Sequence, residues 1–118
     1  MKQKVHSVSY LAKAEFEFKN GVYDLVALPC GAEVVKVSLE VVGNPTTGNV
    51  SVGFKDEATK EYFLKLEDIK TKNATSAKDY TATSNKVVVA EVKNATGIDI
   101  KGVLRVLYFL PSVIEVEY

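Results

Sequence analysis

The chain has 118 residues, 47% of them hydrophobic, and its 15 basic and 15 acidic side chains leave a formal net charge of zero. That length suits a single domain over residues 1–118, large enough to bury a core without metal or disulfide staples. Neutrality argues against nucleic acid as a partner, since such binders carry clustered positive charge, and no apolar run approaches the ~20 residues of a membrane span, which argues against a membrane partner.

Met1–Val8 has basic residues but no continuous apolar stretch behind them, so a secretory signal is not expected. From there the hydrophobic pattern has period two almost everywhere. Ala14, Phe16 and Phe18 alternate with charged residues, Val35, Val37, Leu39 and Val41 with Lys36, Ser38 and Glu40, and Val50, Val52 and Phe54 with Ser51, Gly53 and Lys55. Leu104, Val106, Tyr108 and Leu110 form one face of a later run, and Ile114, Val116 and Tyr118 one face of the last. Successive strand side chains point to opposite faces, so these are half-buried strands, and the many valines fit a pleated surface.

Turn residues divide the runs. Asn20-Gly21 predicts a hairpin, because both residues tolerate positive φ. Breaks follow at Leu28–Ala32, Gly43–Asn49, Asn94–Gly97 and Pro111-Ser112. About eight strands are predicted, near 4–10, 12–19, 22–28, 33–42, 49–55, 86–93, 102–110 and 113–118. The expected fold is all-β: an antiparallel, jelly-roll-like β-sandwich. Asp56–Lys72 mixes helical spacing (Ala58, Tyr62, Leu66, Ile69) with a short alternating run, and reads as a loop with a helical turn followed by a short strand. Residues 73–85 hold almost no large apolar side chain and read as an extended surface excursion.

Parts for chemistry are few. The single histidine, His6, has no partner at ligand spacing, and reads as an ordinary strand residue. Cys30, the single cysteine, cannot close an internal bridge and reads as a spectator thiol. Asp56-Glu57 and Glu67-Asp68 read as solvated turn charges, with no calcium-loop spacing. Three Asn-x-Ser/Thr triplets carry no meaning without secretion. No phosphate loop, nucleophile elbow or metal-binding helix motif occurs. The chain is expected to be no enzyme and to need no cofactor.

Two strands look apolar on both faces. In 22–28, Tyr23, Leu25 and Ala27 face one way, and Val22, Val26 and Leu28 the other. In 103–110, Val103, Leu107 and Phe109 back the Leu104–Leu110 face. A sandwich strand needs one buried face. Either a loop, such as 73–85, covers the second, or those six residues form a protein–protein interface.

The order of elements resembles a known family. Gly21–Pro29 leads into a Gly-Ala turn and a long valine strand. Val50-Ser51-Val52-Gly53-Phe54, Tyr62-Phe63-Leu64 and Gly102–Tyr108 follow. The run from about residue 20 onward resembles small β-sandwich structural proteins of tailed phages, namely capsid decoration (cement) and head-fibre-like proteins. Cys30 stands where that pattern has a small residue such as alanine. The resemblance implies a virion location on the capsid surface and a major capsid protein as partner. It also implies a homo-oligomer, trimer ahead of dimer, since capsid lattices present three-fold sites. The rival reading is a carbohydrate-binding sandwich of a tail fibre or receptor-binding protein, with Tyr62, Tyr80 and Tyr118 as the sugar platform.

Overall fold

The computed structural model describes residues 1–117, with side chains described through residue 115. These residues form eleven strands: β1 (Lys2–His6), β2 (Ser9–Glu17), β3 (Gly21–Leu28), β4 (Glu33–Val42), β5 (Thr47–Phe54), β6 (Leu64–Leu66), β7 (Asn73–Ser76), β8 (Tyr80–Thr81), β9 (Lys86–Thr96), β10 (Lys101–Phe109) and β11 (Val113–Glu117). One 3₁₀ turn, Ile69–Thr71, interrupts them.

Two antiparallel sheets face each other. The first has the order β2-β10-β4-β7, with β8 also pairing β4; the second has the order β3-β9-β5-β6. The chain crosses repeatedly between them: β2, β4, β7 and β10 lie in one sheet, and β3, β5, β6 and β9 in the other. Eight strands wound in this order make a jelly roll, as the alternation predicts. Side chains from both inner faces fill the core, including Phe16, Phe18, Val37, Leu39, Val52, Leu104, Val106 and Tyr108. All eight are residues that the sequence pattern places inside.

Several boundaries differ from expectation. The first break falls at Ser7-Val8, so the predicted runs 4–10 and 12–19 become β1 and a continuous β2. Asn20-Gly21 does not close a hairpin, because β2 pairs β10 while β3 pairs β9 in the opposite sheet. It forms an arch between sheets. Gly21 takes φ +150° there, and the Asn20 side-chain oxygen accepts a bond from the Ala95 amide at 2.8 Å. The 73–85 excursion is also corrected. Its backbone supplies the edge strands β7 and β8, and Tyr80 and Ala82 plug into the core margin.

β-Bulges decide which residues face inward. β3 slips register against β9 between Asp24 and Val26, leaving Leu25 as the extra residue. β4 slips against β10, leaving Val35 unpaired between Val34 and Lys36. Each slip inverts the in–out alternation of its strand. Val26, Leu28 and Val34 therefore reach the core, where strict alternation would expose them.

Among the described residues β1 and β11 pair only with each other, as a two-stranded ribbon continuing from β2 and β10. The Leu110 amide donates to the Val8 carbonyl at 2.9 Å, and His6 Nδ1 bonds the Leu110 carbonyl at 2.9 Å, at the base of the ribbon. The molecule measures 55 × 24 × 18 Å. Its radius of gyration, 15.8 Å, exceeds the roughly 13.5 Å of a compact domain of this length.

Candidate protein-contact surfaces

The six residues expected to form an interface do not share a surface. The β3 bulge turns Val26 (6% exposed) and Leu28 (1%) into the core. Val22 lies ahead of the bulge and stays outside, 47% exposed, on the second sheet. Val103, Leu107 and Phe109 lie on the outer side of the first sheet, across the sandwich from Val22. Val103 is only 5% exposed, although its face is the outer one. Its register partners are Glu15 on β2 and Glu40 on β4. Lys101–Glu15 (3.9 Å) and Arg105–Glu40 (3.2 Å) ion pairs close over it, and the aliphatic stems of such pairs cover apolar surface well.

Leu107 and Phe109 are half-buried and open to solvent. Leu11, 61% exposed, stands directly opposite Leu107. The two leucines line a shallow concavity of about 290 Å³ with Lys36, Ser38 and Arg105. Tyr10, 51% exposed, precedes Leu11 on β2 and lies on the opposite face of the sheet, its ring edge-on to the inward-facing Tyr108 at 5.9 Å. Sequence reasoning missed Leu11 because it set a strand break there. The signal was the unbroken run Ser9–Phe18.

The second sheet is covered differently from expectation. The backbone of Lys60–Tyr62 presses against Gly53 on its outer side, so closely that a Cβ would meet it at 2.7–2.9 Å. Gly53 is the register neighbour of Val89, which is fully buried. The cover on this face is thus the 55–62 loop. Lys86 and Lys55 tie that region to Asp56 (2.6 Å) and Asp24 (2.7 Å). The Lys86 hydrogen bond holds the Asp56 carboxyl below its ordinary value, and the same bond lifts the Lys86 ammonium above its own. Glu67 and Glu61 likewise raise Lys65.

The other sites considered from sequence resolve as follows. Cys30 is an exposed turn residue whose amide donates to Asn85 Oδ1 at 2.9 Å. Among the described residues, no three His, Cys, Asp or Glu side chains come together as a metal site. No helix among them is long and apolar enough to cross a membrane. Tyr62 and Tyr80 pack into an aromatic cluster with Phe54 and Phe63, with centroids 4.6–6.3 Å apart. That packing half-buries both rings. Tyr118 lies outside the described residues.

Comparison with solved structures supplies what the surfaces alone do not. The chain superposes on a chain of the acidic stable capsid structure of Helicobacter pylori bacteriophage KHP30, with a TM-score of 0.94 and 75% identity over 100% of both chains. The chain belongs to this phage capsid protein family. It is a structural protein of the virion, located in the capsid. A chain of the cyanophage Pam1 capsid asymmetric unit shares the fold, with a TM-score of 0.69 and 22% identity over 87% of this chain and 85% of that one. No protein-family model and no curated protein matches the chain. The expected resemblance to phage structural sandwiches is thereby borne out.

Proposed function

We propose that this protein is a capsid decoration (cement) protein, which stabilises an icosahedral head by binding the major capsid protein from outside. The observation that carries this reading is the 75% identity, end to end, with a chain of the KHP30 capsid structure. The physical features agree with it. A cement protein acts by burying surface against its neighbours, so it needs a rigid scaffold and accessible apolar contacts rather than catalytic groups. This jelly roll has a tightly filled core and an accessible Leu11–Leu107–Phe109 patch on the outer side of its first sheet. In this reading the patch docks on the major capsid protein, with Arg105 and Lys36 at its rim. The protein acts as a closed homo-oligomer, a trimer suiting the three-fold positions of a capsid lattice. The reading supposes no enzyme activity and no cofactor.

Co-sedimentation with heads assembled without this protein tests the proposal. Saturable binding at a fixed ratio to the major capsid protein is expected. Absence of binding to such heads contradicts it.

A further inference from the structure

Exposed sheet edges invite another strand, and soluble proteins blunt them with short strands, bulges or charge. Three of the four sandwich edges here are blunted. β6 has three residues. The β7/β8 edge is broken into pieces of four and two residues. β3 carries the bulge at Leu25. The β2 edge is nine residues long, in unshifted register with β10, and it continues past Ser7-Val8 into β1. On the other side, β11 leaves the first sheet beyond the end of β4, so among the described residues it has no neighbour but β1.

The ribbon thus has two free edges of opposite character. β1 reads Lys-Gln-Lys-Val-His and β11 reads Val-Ile-Glu-Val-Glu. One edge strand is basic and the other acidic. Val5 (38% exposed) and Ile114 (59% exposed) stand opposite each other on one face of the ribbon. An isolated two-stranded ribbon is only marginally stable in water.

We infer that the ribbon joins copies of this chain, β1 of one copy adding to β11 of the next, head to tail around a rotation axis. Complementary charge names the occupant. Pairing β1 with β1 sets lysines beside lysines, and pairing β11 with β11 sets glutamates together, whereas β1 beside β11 places Lys2 and Lys4 next to the strand of Glu115. Rotation about an axis along the ribbons keeps every neighbouring pair antiparallel, as within one chain. A head-to-tail contact of this kind ends only by closing into a ring. Closure turns the Val5–Ile114 face inward. The inference rests on the capsid reading above and deepens it, since it leaves the Leu11–Leu107 patch free for the major capsid protein.

Light scattering on the full chain, paired with disulfide trapping, tests this. The wild type is expected to be an oligomer, and Val5→Asp/Ile114→Asp a folded monomer. In a Cys30→Ser background, Lys4→Cys and Glu115→Cys chains refolded together and oxidised are expected to form covalent dimers, with none from Lys4→Cys alone. The inference is overturned if the double aspartate variant keeps the wild-type mass, if Lys4→Cys cross-links to itself, or if an oligomeric wild type yields no mixed dimer. A monomeric wild type that still co-sediments with heads overturns the ribbon contact and leaves the capsid reading standing. An oligomer that trapping confirms but that ignores heads does the reverse.

Discussion

Phe16 on β2 and Gly102 on β10 stand in register, and the phenyl ring fills the space that a Cβ on Gly102 would need. The ring then stacks on Tyr23 of the opposite sheet, with centroids 5.4 Å apart. A glycine inside a strand ordinarily weakens it, so its use here marks a close approach. Gly102→Ala is expected to displace the ring and destabilise the fold by about 1–3 kcal/mol, with Gly102→Val worse. Denaturant unfolding measures this. Combining Gly102→Ala with Phe16→Leu should recover part of the loss, because the smaller side chain vacates the contested space.

Leu39 and Leu104 are also register partners, both at most 1% exposed, at the centre of the core. Truncating either to alanine should cost about 2–5 kcal/mol. The double variant should lose less than the sum, since the two cavities merge. Additive losses in urea melts would show that the two side chains do not share one packed volume.

The pattern of the sandwich was legible in the sequence because most core residues lie on plainly alternating runs such as Val37-Ser38-Leu39. The bulges were not. Leu25 and Val35 look like ordinary strand residues, and only pairing with a particular neighbour shows that each is one too many. That single-residue shift sent Val26 and Leu28 inward and removed two of the six residues of the expected interface. Asn20-Gly21 carried the local chemistry of a hairpin, but whether a turn joins neighbours in one sheet or arches between two is decided by long-range pairing. The β7 and β8 strands escaped notice because edge pairing uses backbone groups, which polar residues supply as well as apolar ones.

Charge adds a pH dependence that is small because Asp56 is mostly exposed. Lys86 Nζ donates to Asp56 Oδ2 at 2.6 Å and keeps the Asp56 pKa below 3.8. A depressed carboxylate pKa stabilises the fold above the unfolded value and ceases to do so as pH falls below it. The raised Lys86 pKa contributes below 10.5 and is lost as pH rises past it. Asp56→Asn should therefore melt slightly below the wild type between pH 5 and pH 9, and the gap should narrow as pH falls below 3.8. Thermal melts across that range check the sign.

Folding is expected to need neither metal nor disulfide. Chelator, reductant and Cys30→Ser should each leave the melting temperature unchanged within error. A large shift with chelator would reveal a metal that the side-chain arrangement does not suggest.

Leu107→Asp and Leu11→Asp place a charge in the outer concavity of the first sheet without touching the core. Both should fold with near-native melting temperatures, because substitutions at such accessible positions are usually mild. Both should lose most of their binding to heads, since a buried unpaired charge at an interface is strongly unfavourable. Normal head binding by both variants would move the capsid contact to another face.

The heat stability of the head itself tests the central claim most directly. Heads lacking this protein are heated with and without the purified chain, and genome release is followed by a DNA-binding dye. Saturating addition is expected to raise the release temperature by several degrees, with Leu107→Asp giving no such rise. An unchanged release temperature, at a concentration where the wild-type chain is bound, would contradict a stabilising role on the capsid.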